Sequence, residues 1–174
     1  MPDRLADAVR TIQDFPKPGV AFKDLTPILA DPSLFAEAIA QLATPWEDAR
    51  VTHVVGMDAR GFWFGPSLAA HLGAGFVPAR KPGKLPAETV SASYTLEYGE
   101  DALELHADAF GPDARVLIHD DVIATGGTAA AACDLVRQLG GIVVGCSFFL
   151  ELAFLAGRDL LPNGVLVEAV LRVE

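Results

Sequence analysis

The stretch that most constrains the fold of this chain is VLIHDDVIATGGT, residues 116–128. It opens with an apolar run, Val116, Leu117 and Ile118, which is typical of a strand buried on both faces of a sheet. An acidic pair, a turn of small residues and an alanine-rich segment follow. The pattern therefore predicts a strand, then two carboxylates, then a glycine turn that leads into a helix over 129–139.

The acidic pair and the glycine turn together predict a site for a phosphorylated sugar. Glycines let backbone N–H groups approach a phosphate, and the start of the next helix adds partial positive charge. The hydroxyls of Thr125 and Thr128 can donate to the same oxygens. Asp120 and Asp121 can accept hydrogen bonds from a sugar diol, so the stretch suits a ribose 5-phosphate. A Cβ at Gly127 is expected to obstruct the phosphate.

Simpler readings of this stretch exist. A Gly-Gly turn can be only a tight connection, and an Asp pair can cap a turn or stay solvated. The order of the features favours phosphate and sugar binding. The turn is neither a P-loop, because no Lys follows its glycines, nor the G-x-G-x-x-G dinucleotide fingerprint.

The same stretch resembles the phosphoribosyl-diphosphate (PRPP) binding motif of the type I phosphoribosyltransferases. Other stretches resemble the adenine-specific members of that family, and the resemblance runs from about Ile12 to about Arg158. It implies that PRPP is bound by the acidic pair and the whole turn. The implied contacts are Asp120, Asp121, Ala124, Thr125, Gly126, Gly127 and Thr128.

Two other predicted strand ends carry basic residues. A strand that begins at Val51 leads into a loop with Arg60 and a helix that extends to Leu72, and a strand over 76–79 precedes the sequence RKPGKLP. In a simpler interpretation, Arg60 forms only a surface ion pair with Asp58, and the sequence RKPGKLP contains only a solvated turn. The resemblance implies instead that both loops bind diphosphate and that Arg60 is also catalytic. It also implies that the peptide bond between Asp58 and Ala59 is cis. The implied contacts are Asp58, Ala59, Arg60, Arg80, Lys81 and Lys84.

Residues 14–30 contain three prolines, which exclude a long regular element, yet they are too apolar for a free linker. They could form a segment over a cleft, or an arm packed on the core or on a partner subunit. The resemblance implies a hood over a purine, in which backbone C=O and N–H groups complement the N6 donor and N1 acceptor of adenine. The implied adenine contacts are Ala21, Phe22, Lys23 and Leu155.

Residues 87–107 alternate apolar and polar side chains and predict an antiparallel hairpin with its turn at 98–101. We expect it to contribute little to the core. It could be an exposed hairpin or a flap that closes over substrate. The resemblance implies a flexible catalytic flap in which Glu97 is the acid/base group and Tyr98, beside it, contacts PRPP.

The remaining pattern predicts an amphipathic helix over 4–12, a helix that starts after Asp31, and a buried strand over 141–152. A helical segment that ends near Pro162 and a last strand over 165–170 follow. His119, which precedes the acidic pair, is expected to be structural. Alternating strands and helices predict an α/β chain with a mostly parallel central sheet flanked by helices. The resemblance implies the type I phosphoribosyltransferase fold, with a small N-terminal hood and a flexible β-hairpin flap, in a single domain over 1–174.

The formal net charge of −10 argues against non-specific nucleic-acid binding. An anionic substrate then requires clustered basic residues or an accompanying cation. No apolar run reaches the length of a membrane span, and the charged N-terminus lacks a signal-peptide pattern. Cys133 and Cys146 fall in a predicted helix and a predicted buried strand, which indicates core thiols and a cytoplasmic location.

The resemblance implies a purine salvage enzyme that converts adenine and PRPP into AMP and diphosphate. It also implies a homodimer, and Mg²⁺ that is carried by the PRPP diphosphate without direct protein ligands. Two alternatives stay open. One is a phosphoribosyltransferase for a 6-oxopurine, and the other is a non-catalytic regulator that senses PRPP.

Overall fold

Nine strands and five α-helices form in the described part of the chain, residues 3–96 and 99–174 of a computed structural model. The strands are β1 (Arg10–Gln13), β2 (Ala21–Asp24), β3 (His53–Met57), β4 (Gly75–Ala79), β5 (Thr89–Leu96), β6 (Gly99–His106), β7 (Arg115–Ile123), β8 (Ile142–Leu152) and β9 (Val167–Val173). The helices are α1 (Arg4–Ala8), α2 (Thr26–Ala30), α3 (Pro32–Ala43), α4 (Gly65–His71) and α5 (Gly127–Gln138).

The central sheet is parallel and has the order β4-β3-β7-β8-β9. Side chains alternate along β7, so Val116 and Ile118 face one hydrophobic layer and Leu117 faces the other. The first layer includes Leu135 of α5, and the second includes Leu42 of α3 and residues of α4. Helices therefore cover both faces, which confirms the predicted α/β class.

Helix α3 starts where the sequence predicts. The Asp31 carboxylate accepts hydrogen bonds from the backbone N–H groups of Ser33 at 2.8 Å and Leu34 at 3.1 Å. Pro32 occupies the first turn, where its missing N–H costs nothing. Among the described residues no helix has the length and hydrophobicity of a membrane span.

The predicted helix over 4–12 is wrong beyond Ala8. Residues 10–13 form β1, which pairs antiparallel with β2, and Ile12 is 37% exposed. The Arg10 guanidinium also donates to the Asp24 carboxylate at 2.9 Å across this pair. Pairing with a segment about ten residues away overrides the local helical spacing.

The predicted helix that ends near Pro162 is also wrong. Two short 3-10 turns, Ala153–Leu155 and Gly157–Leu160, are separated by Ala156 in the left-handed region at φ 52°. A left-handed residue cannot continue a right-handed helix. The last strand starts at Val167 and extends to Val173, later than expected.

The hairpin of β5 and β6 forms, with Thr89 opposite His106 and Leu96 opposite Gly99. Because β6 already includes 99–101, the predicted turn is wrong for those residues. The expectation of a small core contribution is wrong as well, since Leu103 and Leu105 are fully buried. Alternation along β6 turns both side chains toward the layer that contains α5.

His119 is fully buried, as its structural role requires. Its Nδ1 lies 3.0 Å from the carbonyl oxygen of Ser147, so the neutral ring donates from Nδ1. The other ring nitrogen has no partner among the described residues, and Phe64 packs edge-on against the ring. Burial lowers the pKa of His119 from 6.5 to about 4.

This burial predicts a loss of stability in mild acid. The unfolded chain binds a proton at His119 near pH 6.5, whereas the folded chain binds it only near pH 4. The contribution of His119 to the free energy of unfolding should therefore fall by up to about 1.4 kcal/mol per pH unit as the pH drops through this window. Urea unfolding at pH 7, 6 and 5 measures the slope, which His119→Met should flatten. His71→Gln removes an exposed imidazole as the control. An unchanged slope in His119→Met would contradict the prediction.

Candidate functional site

A cavity of about 170 Å³ lies at the carboxyl ends of β3 and β7. It brings together six of the residues proposed from sequence, which are Arg60, Asp120, Ala124, Thr125, Gly126 and Thr128. Met57 and Phe148 also line it. Sequence reasoning missed these two because an apolar residue in a buried strand carries no signal that a ligand lies beside it.

The turn after β7 presents backbone donors to this cavity. Gly126 has φ 84°, a left-handed conformation that a residue without Cβ adopts easily. Helix α5 begins at Gly127, and Ala130 N–H donates to Gly126 C=O at 2.9 Å. The preceding N–H groups of the first helical turn have no helical acceptor. Together with the hydroxyls of Thr125 and Thr128, they suit a phosphate.

The steric demand of this turn falls on Gly126 rather than on Gly127. A Cβ at Gly127 would lie 3.5 Å from both the Thr95 carbonyl oxygen and Tyr94 Cδ2, so this position faces the hairpin. In contrast, a Cβ at Gly126 would overlap the carbonyl oxygen of Gly157. The expected obstruction of a phosphate by a Cβ at Gly127 stays a prediction, while the overlap at Gly126 is with the protein's own backbone.

The backbone of Gly157 contacts the backbone of the turn at two points, because a Cβ at Gly157 would also overlap the carbonyl oxygen of Ala124. Gly157 follows Leu155 by two positions, so this contact places the segment with the proposed adenine residue directly on the turn 124–128, the proposed phosphate turn. The sequence does not predict this contact, because each glycine on its own is compatible with an ordinary turn.

Asp120 and Asp121 lie within β7 rather than after it, and their side chains point to opposite faces. Asp120 lines the cavity, and its Oδ1 accepts the N–H of Asp121 at 2.9 Å. Asp121 is 1% exposed and is absent from the cavity wall. Its carboxylate accepts no hydrogen bond from the described residues, but Oδ2 lies 3.3 Å from Arg60 Nε.

Burial disfavours negative charge on both aspartates. It raises the pKa of Asp120 well above its usual range, and the neighbouring Asp121 carboxylate adds to this rise. Burial also raises the pKa of Asp121, although the Arg60 guanidinium opposes the change. A ligand that donates hydrogen bonds to Asp120 would stabilise its ionised form.

Arg60 connects the parts of the site. Its Nε forms the ion pair with Asp121, its side chain lines the cavity, and its Cζ lies 5.7 Å from the centre of the Phe22 ring. Phe22 belongs to β2, so Arg60 joins the predicted hood to the acidic strand. Phe15 packs edge-on against Phe22 at 5.2 Å between ring centres.

Asp58 organises the basic loop after β4. Its Oδ2 accepts from Arg80 Nε at 2.9 Å, Lys84 Nζ at 3.4 Å and Lys81 N–H at 3.5 Å. Burial alone would raise the pKa of Asp58, but these donors outweigh it and the pKa is lowered. The peptide bond from Asp58 to Ala59 is cis, as expected.

Lys81 is tied to the hairpin. Its Nζ donates to the Tyr94 hydroxyl at 2.9 Å and forms an ion pair with the Asp101 carboxylate. The side chains of Arg80, Lys81 and Lys84 do not line the cavity. The three cations therefore form a separate basic patch beside it.

The residues proposed for a purine are less closely grouped. Ala21, Phe22 and Lys23 lie on β2, and the Lys23 ammonium donates to Thr11 Oγ1 at 2.9 Å. Leu155 is 41% exposed in a 3-10 turn. Arg60 approaches Phe22, and Gly157 brings the Leu155 segment to the phosphate turn. Two further proposed residues, Glu97 and Tyr98, lie outside the described residues.

Comparison with known proteins identifies the family. A family model described as a phosphoribosyl transferase domain matches residues 28–152. The adenine phosphoribosyltransferase of Solibacter usitatus (strain Ellin6076) is 57% identical over 164 residues, which cover 94% of this chain and 94% of that protein. The crystal structure of adenine phosphoribosyltransferase from Rhodothermus marinus DSM 4252 matches with a TM-score of 0.93 and 55% identity, over 97% of this chain and 96% of that chain.

A more distant solved structure matches over the same range. The adenine phosphoribosyl transferase from Trypanosoma brucei, in complex with AMP, pyrophosphate and ribose-5-phosphate, has a TM-score of 0.88 and 26% identity. The match covers 97% of this chain and 78% of that chain. A fold, a site and relatives that agree over nearly the whole length place the chain in the phosphoribosyltransferase family, among the adenine phosphoribosyltransferases.

Proposed function

We propose that the chain transfers the 5-phosphoribosyl group of PRPP to adenine and releases AMP and diphosphate, as a purine salvage enzyme. One observation carries the proposal. A single cavity places the Asp120 carboxylate and Arg60 beside the turn 124–128. A diol acceptor beside a phosphate cradle fits the two ends of one ribose 5-phosphate. The names of the relatives supply the base.

The reaction breaks the bond between the anomeric carbon and the diphosphate oxygen. Adenine N9 forms the new bond to that carbon, and a proton leaves the base. Positive charge develops on the ribose ring, so the task of the protein is positioning and charge stabilisation. Asp120 holds the diol and lies near the developing cation. Arg60, fixed by Asp121 from behind, faces the developing negative charge on the leaving group.

The diphosphate belongs beside the basic patch of Arg80, Lys81 and Lys84. In the described residues no group of three or more His, Cys, Asp or Glu side chains could hold a metal ion. We propose that Mg²⁺ comes with the diphosphate, since this cation binds phosphate oxygens and would keep several of its own waters. When bound, the cation neutralises charge on the leaving group. The cations of the patch contact the remaining oxygens.

Removal of Mg²⁺ by a chelator tests whether a cation accompanies the diphosphate. Excess chelator should lower the rate of AMP formation at least about tenfold, because the uncompensated diphosphate is a poorer leaving group. Added Mg²⁺ should restore the rate. The measurement is nucleotide formation at saturating adenine and PRPP. Unchanged turnover in excess chelator would rule out a cation that accompanies the substrate.

Adenine belongs between the hood and the 153–155 segment. Ala21 and Lys23 are two positions apart on β2, so their backbone groups lie on the same edge of the strand. A C=O and an N–H on that edge complement the N6 donor and N1 acceptor of adenine. The ring of Phe22 and the side chain of Leu155 supply apolar surface for the base.

Glu97 is the proposed acid/base group, and Tyr98 beside it contacts PRPP. Both residues connect β5 to β6 in the sequence, and both of these strands pack against α5. A flap of this kind brings its functional groups to the substrates on closure.

We further propose a homodimer in the cytoplasm. The exposed apolar side chains Phe154, Leu160 and Leu166 offer surface that a second copy would cover. Cys133 and Cys146 are free thiols in the core, which suits a reducing compartment. Size measurement by light scattering tests the dimer.

A substrate panel tests the function. PRPP and Mg²⁺ are mixed with adenine, hypoxanthine, xanthine or guanine, and nucleotide formation is followed. We expect AMP from adenine and at most trace product from the 6-oxopurines, because a 6-oxo group presents an acceptor where adenine presents a donor. Preferred turnover of a 6-oxopurine would change the base assignment. PRPP binding without any turnover would indicate a regulator instead of an enzyme.

A further inference from the structure

An ion pair between a buried carboxylate and a guanidinium whose side chain is 38% exposed lies behind the proposed adenine segment. Glu151, at the end of β8, is 5% exposed and accepts two hydrogen bonds from Arg158, each at 2.7 Å. The remaining terminal nitrogen of Arg158, Nη1, donates to the carbonyl oxygen of Val167 at 2.6 Å. Val167 is the first residue of β9. Arg158 therefore links the end of one central strand to the start of the next.

The chain leaves the sheet between these two strands. Residues 153–166 connect β8 to β9 and contain the two 3-10 turns with Leu155 and Gly157. Leu155 itself is partly exposed, so its own packing contributes little to its position. Arg158 follows Gly157 directly, and its three hydrogen bonds fix the backbone at that point.

The fixed point is also the point of contact with the phosphate turn. Gly157 touches Ala124 and Gly126 backbone to backbone, with no room for a Cβ on either glycine. Glu151 lies opposite Ile123 in the pairing of β8 with β7, and Ile123 directly precedes the turn. The pair thus sits beside the strand that carries the turn and anchors the segment that packs on it.

We propose that Glu151 and Arg158 are positioning residues, which hold the 153–160 segment against the phosphate turn so that the base and the ribose phosphate bind in a fixed relation. Neither residue touches the substrates. The identity of the two ligands rests on the proposed function. The structural link between the 153–160 segment and the turn does not depend on it. The charges are paired bidentately, so the loss of Arg158 leaves the buried Glu151 carboxylate without its partner.

Two measurements on Arg158→Gln test the proposal. Without ligand, amide hydrogen exchange in 153–161 and 124–128 should quicken about tenfold, while β3 keeps its protection. By calorimetry, adenine should bind about tenfold more weakly in the presence of diphosphate-free ribose 5-phosphate, whereas PRPP affinity should stay within about threefold. PRPP is spared because β7 and α5 hold the turn from its other side. Arg158→Lys keeps the charge but not the fork of donors, so it should be intermediate.

Arg4→Gln is the matched control, because it removes an Arg–Glu pair on the surface, where the Arg4 side chain is 60% exposed. It should change neither readout. Unchanged exchange in Arg158→Gln would overturn the proposal, and so would faster exchange with unchanged adenine affinity. A uniform loss of protection and of both affinities would show a merely structural role. If the wild-type protein binds no adenine, only the proposed function is refuted. The hydrogen-exchange data would still test whether the Glu151–Arg158 pair holds the 153–160 segment against the turn.

Discussion

Gly126→Ala should weaken PRPP binding at least about a hundredfold. The new Cβ would overlap the carbonyl oxygen of Gly157, and the residue must also hold φ at 84°. A backbone oxygen cannot swing aside as a side-chain end can, and the hydrogen bonds of Arg158 hold the 153–160 segment, so the turn must move. Backbone N–H groups bind phosphate only at hydrogen-bond distance, and a shift of about one ångström breaks that contact.

The chain offers a control that separates the steric overlap from the strain of the left-handed backbone. Gly164 has φ 83°, but a Cβ there would meet nothing within 4 Å. Gly164→Ala therefore bears the left-handed strain without the overlap and should keep wild-type affinity. Calorimetric titration with PRPP measures both variants, and thermal unfolding checks that each is folded. Equal affinity in Gly126→Ala and wild type would remove the turn from the phosphate site.

Glu97→Gln should lower kcat by about 10²–10⁴, the usual effect of losing one positioned acid/base group. Binding of adenine and PRPP should change far less, because the carboxyl acts only on the closed complex. The prediction is motivated by the place of Glu97 in the sequence, between β5 and β6 and between two loops proposed to bind anions. Lys81 of the basic loop already contacts this hairpin through Tyr94 and Asp101.

Single-turnover kinetics is the appropriate measurement, since slow product release would hide a slower chemical step. Glu88→Gln is the control, because Glu88 is an exposed carboxylate at the foot of the same hairpin, just before β5. It should leave the chemical step unchanged. A rate for Glu97→Gln within a factor of two of wild type would make Glu97 an ordinary solvated residue.

The central motif could be predicted because its signals are local. An apolar run, an acidic pair and a glycine turn follow one another in the chain, and β7 and α5 form as the pattern indicates. The helix after Asp31 is equally local, since a cap and a proline mark its start. For these elements neighbouring residues decide the structure.

Contacts between distant segments could not be predicted. The sequence does not show that Asp121 turns away from the cavity toward Arg60, or that Gly126 meets Gly157. Residues 10–13 have helical spacing, but pairing with β2 decides their conformation. Leu103 and Leu105 look like one face of a free hairpin, yet packing on α5 buries them. In each case a partner far along the chain sets the outcome.

The carboxylates of Asp58 and Asp101 give the basic patch an unexpected property. Without substrate, Arg80, Lys81 and Lys84 already have anionic partners within the protein. The proposed binding of diphosphate at this patch would then exchange one anion for another, and its affinity would reflect the difference between two sets of ion pairs. Because Lys81 contacts the hairpin, a diphosphate that took over its ammonium would break the contacts to Tyr94 and Asp101 but leave the backbone hydrogen bonds between Arg80 and Glu104. The arrival of the proposed substrate would then loosen the hairpin at Asp101 while its link to the loop at Arg80 persists.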